Sequence, residues 1–385
     1  MAKFLKPIKS IAKNNQFVSN IYEYFFQKPI KNYFNVNYDK RVLFSYSTYH
    51  FNKKKYTAHS NYQESLVIAE AFNKLGYKVD IYNNHKKYDI DFNKYNIIFG
   101  EGMPMYQAIQ SKTTAKKIYY ATGSHPWQCT MGSLRRVVEF YNKTNFLAIN
   151  STRLLDYRWG LAASLCDEVL CIGNENTKKT FLDNGCLNVS LVNPTFHALE
   201  DIEDIEKKPS ATKSMLYFAS YGLLHKGLDI VVEAFKDFPD WTLHICGYTD
   251  REGDFLSSLL ISDNIVNHGF IDIESSLFKE LSSKCGYVIL PSVSEGIATA
   301  VITAMGRGAM IPVVSKECGV DIDNFGIEIK DLTVDAVKES LMKCENITDN
   351  DFYDLCKKSQ AKAYSEYTLS SYSETMYRYL LKISK

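Results

Sequence analysis

Short apolar runs, each closed by a turn and followed by a helical stripe, recur along this chain, and that alternation points to parallel α/β sheets. In the first half the candidate strands are residues 42–46, 79–82, 97–99, 118–121, 169–172 and 189–192. Between the first two, residues 62–75 carry a helical apolar stripe that stops at Gly76, a natural C-cap. The pattern starts again after a charged, Pro-containing stretch at 201–214, with a strand at 217–218, a helix at 228–235 and a strand at 241–247 that ends in glycine. A turn and helix follow within 267–281. No G-x-G-x-x-G follows the first strand, which argues against a dinucleotide-binding Rossmann enzyme.

The stretch 291–321, PSVSEGIATAVITAMGRGAMIPVVSKECGVD, says most about chemistry. A buried strand at 288–290 gives way to a helix at 298–305, so Glu295 and Gly296 lie at the helix entrance. In an open α/β sheet ligands bind in that crevice. Amide N–H groups of Ile297, Ala298 and Thr299 would offer partial positive charge to a phosphate, and the Glu295 carboxylate could accept hydrogen bonds from sugar hydroxyls. An isolated Ser-Glu-Gly would be an ordinary helix-start carboxylate held by the dipole.

The neighbouring motifs argue for more than that. SYGLLHKGLD at 220–229, WTLHICG at 241–247, PSxxEG at 291–296 and GAMIPVVS at 308–315 occur in an order that resembles the C-terminal half of GT-B glycosyltransferases, the large retaining group classified as family 4. The resemblance covers roughly 214–321, and residues 165–196 resemble the last strand-helix-strand of the N-terminal GT-B domain. It implies an α/β fold of two Rossmann-like domains facing a central cleft, with a C-terminal helix crossing back to the first domain. Expected boundaries are a basic aromatic segment at 1–40, an acceptor-side domain at 41–200, a linker at 201–213, a nucleotide-sugar domain at 214–349 and a helical tail at 350–385.

The resemblance also implies roles. Lys226, with Gly222, Gly227 and Gly247 allowing close backbone approach, would hold the donor diphosphate, and the entrance at Glu295, Gly296, Ile297, Ala298 and Thr299 would hold phosphate and sugar. His125, after the strand KKIYYATGS, stands where family members place a histidine reaching the donor sugar. Glu101 and His59 are acceptor-side candidates, and the base would lie near Gly247, Tyr248, Phe270 and Ile271. Two positions depart from the pattern. Tyr221 stands where the family carries an arginine five residues before the lysine, and Thr303 where it carries a second glutamate that binds ribose. Arg307 and His225 are the nearby basic residues that could replace the missing cation.

Composition agrees with an enzyme of this type. At 385 residues the chain has room for two cores, and 45 Lys plus Arg against 44 Asp plus Glu gives no global field for nucleic acid. Nine cysteines without a CxxC pair fit reduced core thiols and argue against a zinc site. Asp89-Ile90-Asp91 and Asp321-Ile322-Asp323 read as turn carboxylates, so no bound metal or cofactor is expected; the donor, UDP- or GDP-linked, is a substrate. No membrane span or signal peptide is visible, which suggests a cytoplasmic protein. Residues 1–40 mix lysines with aromatics, and either lie on an anionic inner leaflet or pack on the first domain.

The expected function is retaining transfer of a hexose-type sugar from a nucleotide sugar to a lipid-linked or growing surface glycan. The Lys-, Asn-, Ile- and Tyr-rich composition suggests a bacterial setting such as capsule or lipopolysaccharide assembly. The alternative is a non-catalytic GT-B subunit binding a partner transferase or glycan, with Tyr221 and Thr303 marking a decayed donor site. A GT-B epimerase is a third reading.

Overall fold

The computed structural model describes residues 28–51, 60–202, 204–259 and 261–384. Strands β1 (Arg41–Ser45), β2 (Lys78–Tyr82), β3 (Ile97–Gly100), β4 (Lys116–Ala121), β5 (Glu168–Ile172) and β6 (Val189–Val192) form one sheet in the order β2-β1-β3-β4-β5-β6. Strands β7 (Ser214–Phe218), β8 (Thr242–Cys246), β9 (Ile265–Gly269), β10 (Tyr287–Leu290), β11 (Ile311–Ser315) and β12 (Ile327–Ile329) form the second, in the order β12-β11-β10-β7-β8-β9. All pairings between these strands are parallel. Helices cover both faces of such sheets, which is why β3 (IIFG) and β10 (YVIL) are buried at every residue and read as unbroken apolar runs.

The order of the second sheet places the site. The chain runs from β7 outward through β8 and β9, then returns to lay β10 on the other side of β7. Loops leaving the carboxyl ends of β7 and β10 therefore diverge at a topological switch point, where an open sheet holds its ligands. The first of these loops carries Lys226 and the second Glu295.

Three other segments fix how the layers sit. Ile30 pairs antiparallel with Ile81 through bonds of 2.9 and 2.8 Å, and Asp80 accepts the Asn32 amide at 2.7 Å, so residues 28–33 cover the edge of β2. That part of the basic segment packs on the first domain; residues 1–27 lie outside the described residues. The polar stretch before β7 is no free tether, because Lys207 is buried and donates to the carbonyls of Ser282, Cys285 and Gly308 at 2.8, 2.7 and 2.6 Å. The last helix, Leu369–Ile383, crosses back to the first domain: the Tyr372 and Tyr120 hydroxyls meet at 2.9 Å and Tyr379 donates to Glu168 at 3.0 Å. The nine cysteines are all free, and all but Cys166 are buried. Among the described residues no helix is long and apolar enough to cross a membrane.

Candidate active site

Between the two sheets lies a cleft of about 400 Å³, lined by the loops after β7, β8, β9 and β10 and by residues of the first domain. Lys226 reaches its floor because Gly227, at φ +71°, turns the chain into the helix Leu228–Phe235; a Cβ there would stand 2.5 Å from the Pro291 carbonyl oxygen. The Gly222 and Leu223 amides donate to the two Glu252 oxygens at 2.6 and 2.9 Å, which fixes the start of the same loop.

Glu295 is the centre of the charge cluster. One carboxylate oxygen is in direct ion-pair contact with Lys226 Nζ and accepts from Ser292 Oγ at 3.1 Å. The other accepts from an Arg153 terminal nitrogen at 3.0 Å. Burial alone would raise this carboxyl, but Arg153 and Lys226 together outweigh it and hold the group well below the usual carboxylate range. Two cations against one carboxylate leave the cluster with net positive charge. The helix Thr299–Gly308 begins beside it and has no side-chain cap, so the N–H groups of Thr299 and Ala300 have no hydrogen-bond partner among the described residues. Ala298 differs from expectation, because its N–H is already donated to the Cys318 carbonyl at 2.9 Å.

Several expected site residues gather here. Lys226, Gly247, Glu295, Ile297, Ala298, Thr299 and Thr303 line the cleft, as do Tyr248, Phe270 and Ile271 at the proposed base end. The Tyr248 and Phe270 rings are stacked at 4.8 Å and 15°, and Phe270 is 54% exposed. Thr303 donates its hydroxyl proton to the Thr299 carbonyl at 2.7 Å, which leaves its oxygen as an acceptor only. Gly222, Gly227 and Gly296 do not line the cleft but shape it. A Cβ on Gly296 would stand 2.5 Å from the Ile172 carbonyl oxygen, so this glycine is one place where the two domains meet backbone to backbone.

Other expectations are corrected. His125 does not line the cleft: it is fully buried in the first domain, accepts the Trp127 amide as the N-cap of the helix Pro126–Thr144, and bonds Ser164 at 3.2 Å. Burial holds its pKa down to about 4, so it is a neutral structural ring. Glu101 is likewise buried, accepts from Asn84 at 2.9 Å and sits away from the cleft lining. His59 lies outside the described residues. Arg307 is held by Glu274 at 2.9 Å and by the His197 carbonyl at 3.2 Å. His225 is buried; its Nε2 lies 2.7 Å from the Ser294 carbonyl, so that nitrogen carries the proton, and Nδ1 accepts from Ser133 at 2.7 Å. Neither basic residue replaces the arginine missing at Tyr221. The Asp-x-Asp triplets also lie off the cleft, with Asp91 capping Asn93, Asp321 accepting from Asn174 and Asp323 from Lys362.

Arg153 and Glu64 are among the cleft residues that the sequence did not reveal. Arg153 comes from a loop of the first domain, 142 positions from Glu295, with no local motif around it. Glu64, on the helix Asn61–Lys74, is buried and accepts the Thr195 amide at 2.7 Å and hydroxyl at 3.1 Å. Burial pushes its carboxyl up to about 7 against those bonds. A carboxylate on the buried face of an amphipathic helix was the available signal for it.

No curated protein matches the sequence significantly. The model of glycosyl transferases group 1 matches residues 200–322, which hold both charged loops. Among solved structures, HepE of Anabaena in complex with UDP-glucose shares 14% identity at a TM-score of 0.56, over 89% of this chain and 99% of that one. A glycosyltransferase from Rickettsia africae ESF-5 shares 11% at a TM-score of 0.53, over 90% and 98%. A mutant of S. aureus TarM, in complex with Fondaparinux, alpha-GlcNAc-glycerol and UDP, shares 12% at 0.51, over 84% of this chain and 59% of that one. The two facing sheets thus give this chain the GT-B fold of these solved structures, and its second domain carries the glycosyl transferases group 1 pattern over residues 200–322.

Proposed function

We propose that the protein moves a sugar from a nucleotide diphosphate sugar to a lipid-linked or growing bacterial surface glycan, with retention at the anomeric carbon and without a bound metal. The observation that carries this reading is the meeting of Lys226, Glu295 and the uncapped entrance of the helix Thr299–Gly308 in one interdomain cleft. A departing diphosphate needs fixed positive charge, which Lys226 and the Thr299 and Ala300 amides supply. The Glu295 carboxylate accepts hydrogen bonds from sugar hydroxyls, and Phe270, exposed and stacked on Tyr248, offers a face to the base. HepE was solved with UDP-glucose and a TarM mutant with UDP, which makes a UDP-linked donor the first to test.

In the front-face reaction we envisage, the bond from the anomeric carbon to the phosphate oxygen breaks with its electron pair on phosphate. The acceptor oxygen attacks from the same face and gives its proton to the leaving phosphate. No side chain acts as nucleophile, and His125 takes no part. The acceptor reading rests on the group 1 match and on the basic aromatic segment at the start of the chain.

Calorimetric titration with UDP, GDP, ADP and CMP tests the donor site. Binding of one nucleotide at micromolar levels, lost in Lys226→Ala, is the expected result. Absence of binding to all four would overturn the proposal and favour a partner-binding subunit.

A further inference from the structure

The cleft contains a second cation, and it arrives from the other domain. Arg153 donates to Glu295 at 3.0 Å and to Ser220 Oγ at 3.1 Å, and its guanidinium carbon lies 5.0 Å from the centre of the Tyr221 ring. Tyr221 stands where the resemblance leads one to expect an arginine, and its ring offers an aromatic face that seats Arg153 instead. Gly222 leaves room for the incoming side chain, since a Cβ there would be 3.1 Å from Arg153 Cγ. The backbone of the donor segment is fixed as well. Leu224 and His225 both donate their amides to the Ser151 carbonyl, at 3.1 and 3.2 Å, and the Arg153 amide donates to Ser133 Oγ at 3.1 Å.

We propose that Arg153 is the second cation of the donor's diphosphate site, so that the site is completed across the domain boundary. The inference rests on reading the cleft as a nucleotide-sugar site. Its side chain is 23% exposed, within reach of a ligand in the cleft, and its Nε is buried with no hydrogen-bond partner among the described residues. A diphosphate carries more charge and more acceptor oxygens than the single Glu295 carboxylate, so it can draw on the planar fork of Arg153 and the ammonium of Lys226 without burying either further. Glu295 is then released toward the sugar hydroxyls. Donor binding thereby depends on contact between the domains, which links it to the surface where the acceptor domain meets the donor domain.

Titration with UDP and with uridine tests this, using wild type, Arg153→Gln, Tyr221→Arg and the double variant. Arg153→Gln is expected to weaken UDP about ten- to a hundredfold while leaving uridine unchanged, because only the diphosphate meets the guanidinium. Tyr221→Arg in the Arg153→Gln background is expected to restore most of the UDP affinity by returning a cation to the loop after β7. Should Arg153→Gln fail to fold, Arg153→Lys, which keeps the charge and loses the fork, is expected to weaken UDP and leave uridine unchanged. UDP affinity within about twofold of wild type in the variant would overturn the role of Arg153 while leaving the cleft reading standing. So would equal loss of UDP and uridine, or failure of the double variant to recover, since each assigns Arg153 to domain packing. Should wild type bind GDP, ADP or CMP in place of UDP, the same variants are titrated with that nucleotide and its nucleoside; wild type that binds none of the four would overturn both.

Discussion

Glu295→Gln perturbs the cluster at its centre. The glutamate side chain is 10% exposed, Lys226 5% and Arg153 23%, so all three charges are largely removed from water. At about 3 Å and an effective dielectric near 20, each pair attracts by roughly 5 kcal/mol before desolvation is subtracted. Removing one partner of such a buried pair costs about 3–5 kcal/mol, because the remaining charges keep their burial penalty without compensation. Glutamine retains one oxygen as a hydrogen-bond acceptor, which places the expected loss near the lower end, about 3 kcal/mol. Lys226→Met should cost less, about 1–2 kcal/mol, since it removes a buried charge together with its penalty and leaves Glu295 paired with Arg153 at 3.0 Å. Urea unfolding followed by circular dichroism, with the slope compared between variants, measures both. The sign with pH is also fixed. The folded pKa of Glu295 is depressed, so its contribution is present above the unfolded carboxylate pKa and is lost only as pH falls through the lower folded value. The gap between wild type and Glu295→Gln should therefore hold from pH 7 to about 5 and close only in stronger acid. A Glu295→Gln protein as stable as wild type, or less destabilised than Lys226→Met, would refute the charge arithmetic.

Glu64 should give the opposite pH signature: its carboxyl rises from 4.5 to about 7, so its contribution is full below 4.5 and fades as pH climbs through 7. Glu64→Gln is expected to reduce the fall in unfolding free energy over that interval by up to about 3 kcal/mol, and an unchanged slope in urea melts across pH would contradict the burial. Gly296→Ala would drive a Cβ to 2.5 Å from the Ile172 carbonyl oxygen and 3.2 Å from the Thr122 carbonyl oxygen, both backbone atoms of the first domain. Overpacking of this kind costs about 1–3 kcal/mol, and because it separates the domains a thermal melt should show a lower midpoint together with weaker UDP binding. A melt and an affinity equal to wild type would show that the domains can yield there without consequence.

How much of this could be read from the chain depends on the range of the interaction. The helix Leu228–Phe235 was expected at 228–235 and the strands of the first sheet within two residues, because apolar runs and turn residues act over a few positions; in the second sheet β7 begins three residues earlier than expected, β9 runs into a stretch read as a turn, and β12 was not expected. Lys226 and Glu295 were found for a related reason: each lies in a short loop after a strand, and the motif carries its own geometry. His125 went the other way. Its sequence context suits a cleft residue, yet the ring turns inward to cap the helix Pro126–Thr144 and bond Ser164, a choice set by packing against Phe181 and Trp127. Ala298 was expected to offer its N–H, but the residue that takes it, Cys318, lies in a segment whose approach no local pattern describes.

The sequence alone therefore determined the two layers of parallel strands, the strand-to-helix loops that carry a lysine and a glutamate, and the tyrosine at 221 where the resemblance implies an arginine. Only the tertiary structure decided that Arg153 lies on that tyrosine, that Glu295 joins cations from both domains, and that Gly296 packs against the backbone of Ile172 in the first domain. The reason is physical: periodicity and turn chemistry are properties of neighbours in the chain, whereas charges 142 positions apart interact only after two separately folded sheets have docked and excluded water between them.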